Sequence, residues 1–414
     1  MLAEIITIGD EILIGQVIDS NSAFIADELN KTGIRVGQIT SIGDNREQII
    51  ATLDEASKRA GLVIITGGLG PTNDDITKQT LAEYFNSKLV LNDTVLDYIK
   101  NLLTARGVEV NDRNIRQAEL PQHCRLLHNA SGTAQGMWFE KNNIVFISLP
   151  GVPFEMKGIM TDYALPLIKD VFRLPPIHHI TFLTHGLAES VMAMKIESWE
   201  KKLPGSVKLA YLPSPGMLRL RLSAFGSDVN NGNSQLEEEA SKLKLLIADY
   251  IFGYNNDTIE EVTGNLLREK KYTLSVAESC TGGKIASLIT SVPGCSDYFK
   301  GSVTAYSNTS KCELLGVNPE SIQIHGAVSQ PVVEEMACGV RERFHTDISI
   351  ATTGIAGPSG GTREKSVGTT WIAVSSADST KSEKFNFGED RGRNIQKAAI
   401  AALFMLRKEL MNLG

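Results

Sequence analysis

The sequence predicts an α/β protein in which two α/β domains flank a small α+β module. Three observations carry that reading. Short, wholly apolar runs alternate with stretches of helical spacing near both ends of the chain, the pattern of a mainly parallel sheet covered by helices. Glycine-rich turns follow several of these runs, and the chain holds 36 glycines. Two breaks, Arg173-Leu174-Pro175-Pro176 and Gly253-Tyr254-Asn255-Asn256-Asp257, divide 414 residues that exceed a single ordinary core.

In the first piece, residues 1–172, Glu4–Ile8 reads as a buried strand. Asn21–Asn30 has helical spacing at Phe24, Ile25 and Leu29, and Arg35–Thr40 alternates. Glu47–Arg59 is helical, Leu62–Thr66 and Ile144–Ser148 are further strands, and an amphipathic helix runs from the Pro150-Gly151-Val152-Pro153 turn through about Phe172. The prolines at 175 and 176 mark a linker, because neither suits a helix interior or a central strand. Residues 177–254 read strand, helix, strand, strand, helix, strand. Pro213-Ser214-Pro215-Gly216 turns the hairpin between Lys208–Leu212 and Met217–Ala224. The third piece, 257–414, opens with a helix for which Asp257 is the expected N-cap. It ends with a helix from about Arg391 to Leu410.

The formal charge of -7 offers no basic face for nucleic acid. No signal peptide or membrane-length apolar run is readable. Five cysteines without a C-x-x-C pair read as reduced thiols, so a cytoplasmic protein without structural zinc is expected.

The stretch Leu274-Ser275-Val276-Ala277-Glu278-Ser279-Cys280-Thr281-Gly282-Gly283 is a strand that ends in a nucleophile pair and a glycine turn before a helix. Free helix-start amides there can hold an oxyanion or a phosphate. A tight turn that needs glycine only for its backbone explains the same residues. A P-loop fails because Glu278 and Ile285 stand where Gly and Ser or Thr are required. An S-x-x-K pair fails because Ser279 and Lys284 are five apart. Tyr306 and Lys311 follow a second strand, and Thr353-Gly354-Ile355-Ala356-Gly357-Pro358 follows a third, so one shared pocket is expected. Lys311 can act as a base only if burial lowers its pKa.

These segments, with His325-Gly326-Ala327-Val328-Ser329, resemble the CinA C-terminal domain in the family order over about residues 257–414. The resemblance implies a nicotinamide mononucleotide (NMN) amidohydrolase that needs no cofactor at this site. It implies Ser279 as nucleophile, Lys311 as general base, Tyr306 in the proton network and Thr353 as a site hydroxyl. It further implies Thr281, Gly282, Gly283, Gly354, Gly357 and Arg391 around the substrate. Cys280 is the rival nucleophile, since a helix start depresses a thiol pKa. Ser366 stands where the family usually has proline, and a local loop effect is expected.

Near the N-terminus, Gly9-Asp10-Glu11 follows one strand and Thr66-Gly67-Gly68-Leu69-Gly70-Pro71-Thr72-Asn73-Asp74-Asp75 another. Asn73 replaces the third glycine of a dinucleotide fingerprint, which weakens that reading. A phosphate-holding loop beside carboxylates remains, while N-capping of the next helix is the ordinary reading of Asp74 and Asp75 taken by themselves. The blocks resemble the MoaB/MogA molybdopterin-binding fold as it occurs in full-length CinA proteins. That version implies a metal-dependent ADP-ribose pyrophosphatase, with molybdopterin binding as the parent-fold alternative. Gly67, Gly68 and Gly70 would cradle phosphate, and Asp10, Glu11, Asp74 and Asp75 would bind a divalent metal or activate water.

The middle module occupies the place of the family's KH-like domain but lacks the Gly-x-x-Gly clamp, so it reads as a spacer or dimerisation module. The resemblance favours a homodimer acting on small nucleotides; the missing clamp and the acidic balance speak against nucleic acid as a partner, and no membrane partner is expected. A regulatory protein that holds nucleotides without turnover, linked to competence or DNA damage, is the alternative.

Overall fold

The computed structural model describes residues 1–72, 75–173, 178–224 and 229–413. Two compact units emerge, one built from Met1–His178 and the other beginning at His179.

The first unit centres on a six-stranded sheet. Its strands are β1 (Leu2–Ile8), β2 (Arg35–Ile42), β3 (Leu62–Thr66), β6 (Arg125–Leu127), β7 (Gly136–Lys141) and β8 (Ile144–Leu149) in the order β2-β1-β3-β8-β7-β6. The first four neighbours run parallel, and the last pairs are antiparallel. β3 is buried at every residue, as an interior strand with both faces covered requires. Two three-residue strands, β4 (Leu89–Leu91) and β5 (Glu119–Pro121), form a separate ribbon. The expected helix through Phe172 is interrupted. Pro153–Ile159 and Leu165–Phe172 are α-helical, and Met160–Ala164 forms a π-turn. Pro166 supplies the reason, since it lacks an N–H and its ring disturbs the preceding turn. Of the predicted linker, Leu174, Pro175 and Pro176 lie outside the described residues.

The second unit holds the middle module and the C-terminal domain. The module's antiparallel sheet has the order β10-β11-β9-β12, from β9 (His179–Thr184), β10 (Val207–Ser214), β11 (Met217–Ala224) and β12 (Ile251–Tyr254). Ser214 pairs with Met217, so the hairpin loop is only Pro215-Gly216, with Gly216 at φ 78. The module is not a free spacer: Leu183 and Phe252 join the core cluster of the closing helix Arg391–Asn412. His185 stacks on Phe404 with ring centroids 3.6 Å apart. Burial of Phe252 and Phe404 stabilises this junction by about 1.5–3 kcal/mol each.

The C-terminal sheet has the order β14-β13-β15-β16-β17, from β13 (Leu274–Glu278), β14 (Phe299–Thr304), β15 (Ile348–Gly354), β16 (Thr369–Ser375) and β17 (Thr380–Asn386). β14, β13 and β15 are parallel, with Glu278 opposite both Thr304 and Thr352. Their C-terminal ends therefore lie side by side at one edge, where open α/β sheets place ligands. The helix Ile259–Lys270 is capped by Thr258 in a capping box with Glu261. The expected cap Asp257 instead accepts from the Tyr254 amide at 2.8 Å.

Candidate functional site

Ser279 sits one residue past β13, held on both sides. Its amide donates to Thr352 O at 3.1 Å, and the Ala305 amide donates to Glu278 O at 2.8 Å. Lys311 arrives from the first turn of the helix Asn308–Leu315, which Ser307 caps by accepting from the Ser310 amide. The lysine Nζ donates to Ser279 Oγ at 2.9 Å and to Ala305 O at 2.9 Å. Ser279 is 7% exposed and Lys311 1%. No carboxylate pairs with Lys311 among the described residues, and burial pushes its amine below the ordinary lysine range. A buried amine depleted of its proton, in contact with a hydroxyl, can act as a general base.

The turn itself is shaped by a residue that the sequence reading passed over. Glu278, fully buried, accepts from the amides of Gly283 at 3.0 Å, Ile285 at 3.1 Å and Ala286 at 2.9 Å. Its carboxylate occupies the N-terminus of the helix Lys284–Thr290, an anion held by orphan amides and the helix dipole. This corrects the expected oxyanion donors. The Gly283 amide belongs to Glu278, and the Gly282 amide donates to Ser279 O at 3.2 Å. The amides of Cys280 and Thr281 donate to no carbonyl of another described residue, so they are the donors left beside Ser279. Gly282 and Gly283 take φ of 59 and 98, and a Cβ on either would meet nothing closer than Thr304 Oγ1 at 4.0 Å, so backbone conformation is what requires glycine there.

Other expected residues fall into distinct positions. Cys280 is buried, and desolvation pushes its thiol up to about 12, which disfavours the thiolate. The Tyr306 side chain is 62% exposed, and its hydroxyl accepts from Arg391 Nη2 at 3.2 Å. Lys311 thus meets Ser279 directly, without the phenol between them. Arg391 Nη1 also donates to Gly357 O at 2.9 Å, tying Tyr306 to the 353–358 loop. The Thr353 hydroxyl donates to Ala327 O at 2.8 Å and braces the His325–Ser329 segment. Thr281 and Thr352 share a hydroxyl contact at 2.8 Å. Gly354 is required for packing, because a Cβ would approach Thr370 Oγ1 to 2.7 Å and Cys280 Sγ to 3.0 Å. At the family's proline position, the Ser366 hydroxyl accepts from Asn386 Nδ2 at 3.0 Å and secures the loop locally.

In the first unit, Gly67, Gly68 and Gly70 line a cavity of about 520 Å³. A Cβ on Gly67 would lie 2.0 Å from Ile8 O, so the β1 and β3 ends approach too closely for any side chain. Glu11, Asp44, Asp75 and Glu155 line this cavity without a basic residue among the described lining. Asp44 was not read from sequence. Its carboxylate accepts from the Asp10 amide at 3.3 Å, and burial raises its pKa, as do the charges of Asp10, Glu11 and Asp75. The Asp10 side chain itself lies against Gly43, 2.6 Å from where a Cβ would stand, and does not line the cavity. Asp75 accepts from the Thr72 amide at 2.8 Å and its hydroxyl, so it also holds the loop. Asp74 lies outside the described residues. Among the described residues, no three His, Cys, Asp or Glu side chains converge closely enough to hold a metal ion alone. No described helix is long and apolar enough to cross a membrane.

Comparison with known proteins agrees with both architectures. The CinA C-terminal domain model matches residues 256–410, the Damage-inducible protein CinA KH domain matches 179–253, and the model described as "Probable molybdopterin binding domain" matches 4–170. A CinA-like protein of Flavobacterium psychrophilum is 50% identical over 413 residues, covering 99% of each chain. One from Cytophaga hutchinsonii is 45% identical over 408 residues, covering 99% of this chain and 98% of its own. The crystal structure of competence damage-inducible protein A (ComA) from Klebsiella pneumoniae is 30% identical, spanning 38% of this chain and 100% of that chain, with a TM-score of 0.37. With full-length relatives at this identity and all three modules matched in order, the chain belongs to the CinA family.

Proposed function

We propose that the C-terminal domain hydrolyses the carboxamide of NMN to nicotinic acid mononucleotide and ammonia. The observation that supports this most strongly is the 2.9 Å contact between the buried Lys311 Nζ and Ser279 Oγ, with no carboxylate among the described residues to hold the lysine charged. Ser279 attacks the amide carbon as neutral Lys311 takes its proton. The Cys280 and Thr281 amides receive the oxyanion. Lys311 returns the proton to the departing nitrogen, ammonia leaves, and water releases the acid from Ser279 by the same route. Tyr306 offers an exposed ring face to the cationic pyridinium, and Arg391 offers charge to the phosphate. Ammonia release from NMN by the full chain, absent in Ser279→Ala, tests this reading. Release that survives the substitution refutes it.

For the N-terminal domain, we propose hydrolysis of ADP-ribose to AMP and ribose 5-phosphate. The support is the glycine loop beside Glu11, Asp44 and Asp75 in a cavity whose described lining carries no positive charge. That donor set fits a hard divalent cation held by one or two carboxylates together with substrate oxygens. Such an ion, when bound, neutralises pyrophosphate charge and acidifies a coordinated water. The Gly68 and Gly70 amides orient the phosphates, the Gly67 amide being spent on Leu149 O at 3.1 Å, and Asp44 stands ready to accept a proton. AMP formation from ADP-ribose with added Mg²⁺ tests it. An Asp44→Asn variant that keeps the wild-type rate removes Asp44 from this role.

A further inference from the structure

The acidic cavity of the N-terminal domain continues past Gly70, Pro71 and Asp75 into a second cavity of about 240 Å³. The electrostatics change there. Lys78, Arg113 and Arg116 line the second cavity together with Asp75 and Glu119, whereas the first carries carboxylates alone among its described charged lining. Gln117 lines both. It is 5% exposed, and neither its amide nitrogen nor its oxygen has a hydrogen-bond partner. Native proteins seldom leave a buried amide wholly unsatisfied, and such a group calls for an occupant or a function. Lys78 points to the same conclusion. Its Nζ donates only to Arg116 O, at 2.6 Å, and forms no ion pair among the described residues. Burial pushes its amine down to about 8, so an added anion would hold it charged.

We propose that the second cavity is a phosphate subsite which receives the departing half of a pyrophosphate substrate, with Lys78 contacting that phosphate and Gln117 hydrogen-bonding the substrate at the junction. The proposal rests on the pyrophosphatase reading of the first cavity and extends it. Hydrolysis forms a bond from water oxygen to one phosphorus and breaks that phosphorus's bond to the bridging oxygen. The electron pair leaves on the other phosphate. A diester pyrophosphate dianion and one water give two monoesters, which end as dianions with two protons released to solvent. The departing phosphate gains negative charge as the bond breaks, and a wall of carboxylates cannot stabilise it. The cations next door can. Gln117, with a donor and an acceptor both unspent, suits a phosphate oxygen on one side and a sugar hydroxyl on the other.

The experiment uses the full chain in magnesium buffer, with inorganic pyrophosphate as the binding probe and ADP-ribose as the turnover probe. Lys78→Met should weaken pyrophosphate binding about tenfold or more, the effect of losing one charge-assisted contact. Lys78→Arg should retain it. Gln117→Leu should weaken binding and melt at or above the wild-type temperature, because it removes an unsatisfied buried amide. A merely structural glutamine would instead melt lower when replaced. Absent pyrophosphate binding in the wild type, or affinity unchanged within twofold in both Lys78→Met and Gln117→Leu, overturns the subsite. Weakened pyrophosphate binding in these variants supports the subsite even if the wild type leaves ADP-ribose intact, which would refute only the pyrophosphatase reading. Wild-type ADP-ribose turnover with unchanged binding and turnover in both variants leaves that reading standing and refutes the subsite.

Discussion

Replacing Glu278 with glutamine tests whether a buried carboxylate shapes the turn that carries Ser279. Its Oε2 accepts from the Gly283 and Ile285 amides, and Oε1 accepts from Ala286. Glutamine can keep its carbonyl oxygen in the Oε2 position, but its amino group then faces the Ala286 N–H, donor against donor. One hydrogen bond to a charged group is lost, about 1.5–3 kcal/mol, and the helix-start charge interaction adds about 0.3–1 kcal/mol. The expected destabilisation is thus about 2–4 kcal/mol. For a domain of this size, that lowers the melting step by about 4–16 °C. Activity should fall further than stability explains. The turn that displays the Cys280 and Thr281 amides would relax, and losing one oxyanion donor lowers kcat by about 10²–10³-fold. The assays are calorimetry of the full chain and ammonia release from NMN, measured below the transition. A Glu278→Gln protein that melts within a degree of wild type and keeps its rate within twofold refutes the reasoning.

Lys311→Met should lower kcat for NMN by about 10²–10⁴-fold, the usual worth of a general base. The wild-type rate should rise with pH and level off below the ordinary lysine value of 10.5, because burial lowers the Lys311 pKa and the neutral amine is the active form. The same depression makes the unfolded chain bind more protons between the folded value and 10.5, so stability should rise with pH across that window. Lys311→Met should lose that slope in a pH series of melting temperatures. Tyr306→Phe and Arg391→Lys break the 3.2 Å contact at an exposed position, the lysine keeping a donor for Gly357 O. They should raise KM for NMN several-fold while shifting stability by less than about 0.5 kcal/mol, which steady-state kinetics and melting curves check together.

Much of the fold was legible because its strongest strands are uniform. Leu62–Thr66 is legible as a fully apolar run and the strand before Ser279 as a β-branched, apolar one, and the glycines after them marked the turns. The region from Thr77 to Lys141 was not. Its strands β4, β5 and β6 have only three residues each, too few for alternation to show. The adjacency of the three strand ends that carry the candidate site could be suspected from sequence, but the order β14-β13-β15 belongs to the topology. Glu278 was missed because a strand-terminal carboxylate before a glycine pair looks solvated. The available signal was its distance of five to eight residues from amides that a helix start leaves unpaired. Asp44 hid in the same way. In Gly43-Asp44-Asn45 either polar residue could have capped the helix Arg46–Ser57, and Asn45 does so, leaving Asp44 to the cavity. Gln117 carried no sequence signal. Only its missing partners single it out.

The central claim is that Ser279, activated by Lys311, is the nucleophile of a carboxamide hydrolase. The most direct measurement is initial ammonia release from NMN by wild type, Ser279→Ala and Cys280→Ala under one condition. No enzymatic release is expected from Ser279→Ala, and near wild-type release from Cys280→Ala, since desolvation pushes the Cys280 thiol up to about 12. Release that persists without Ser279 and vanishes without Cys280 would contradict it.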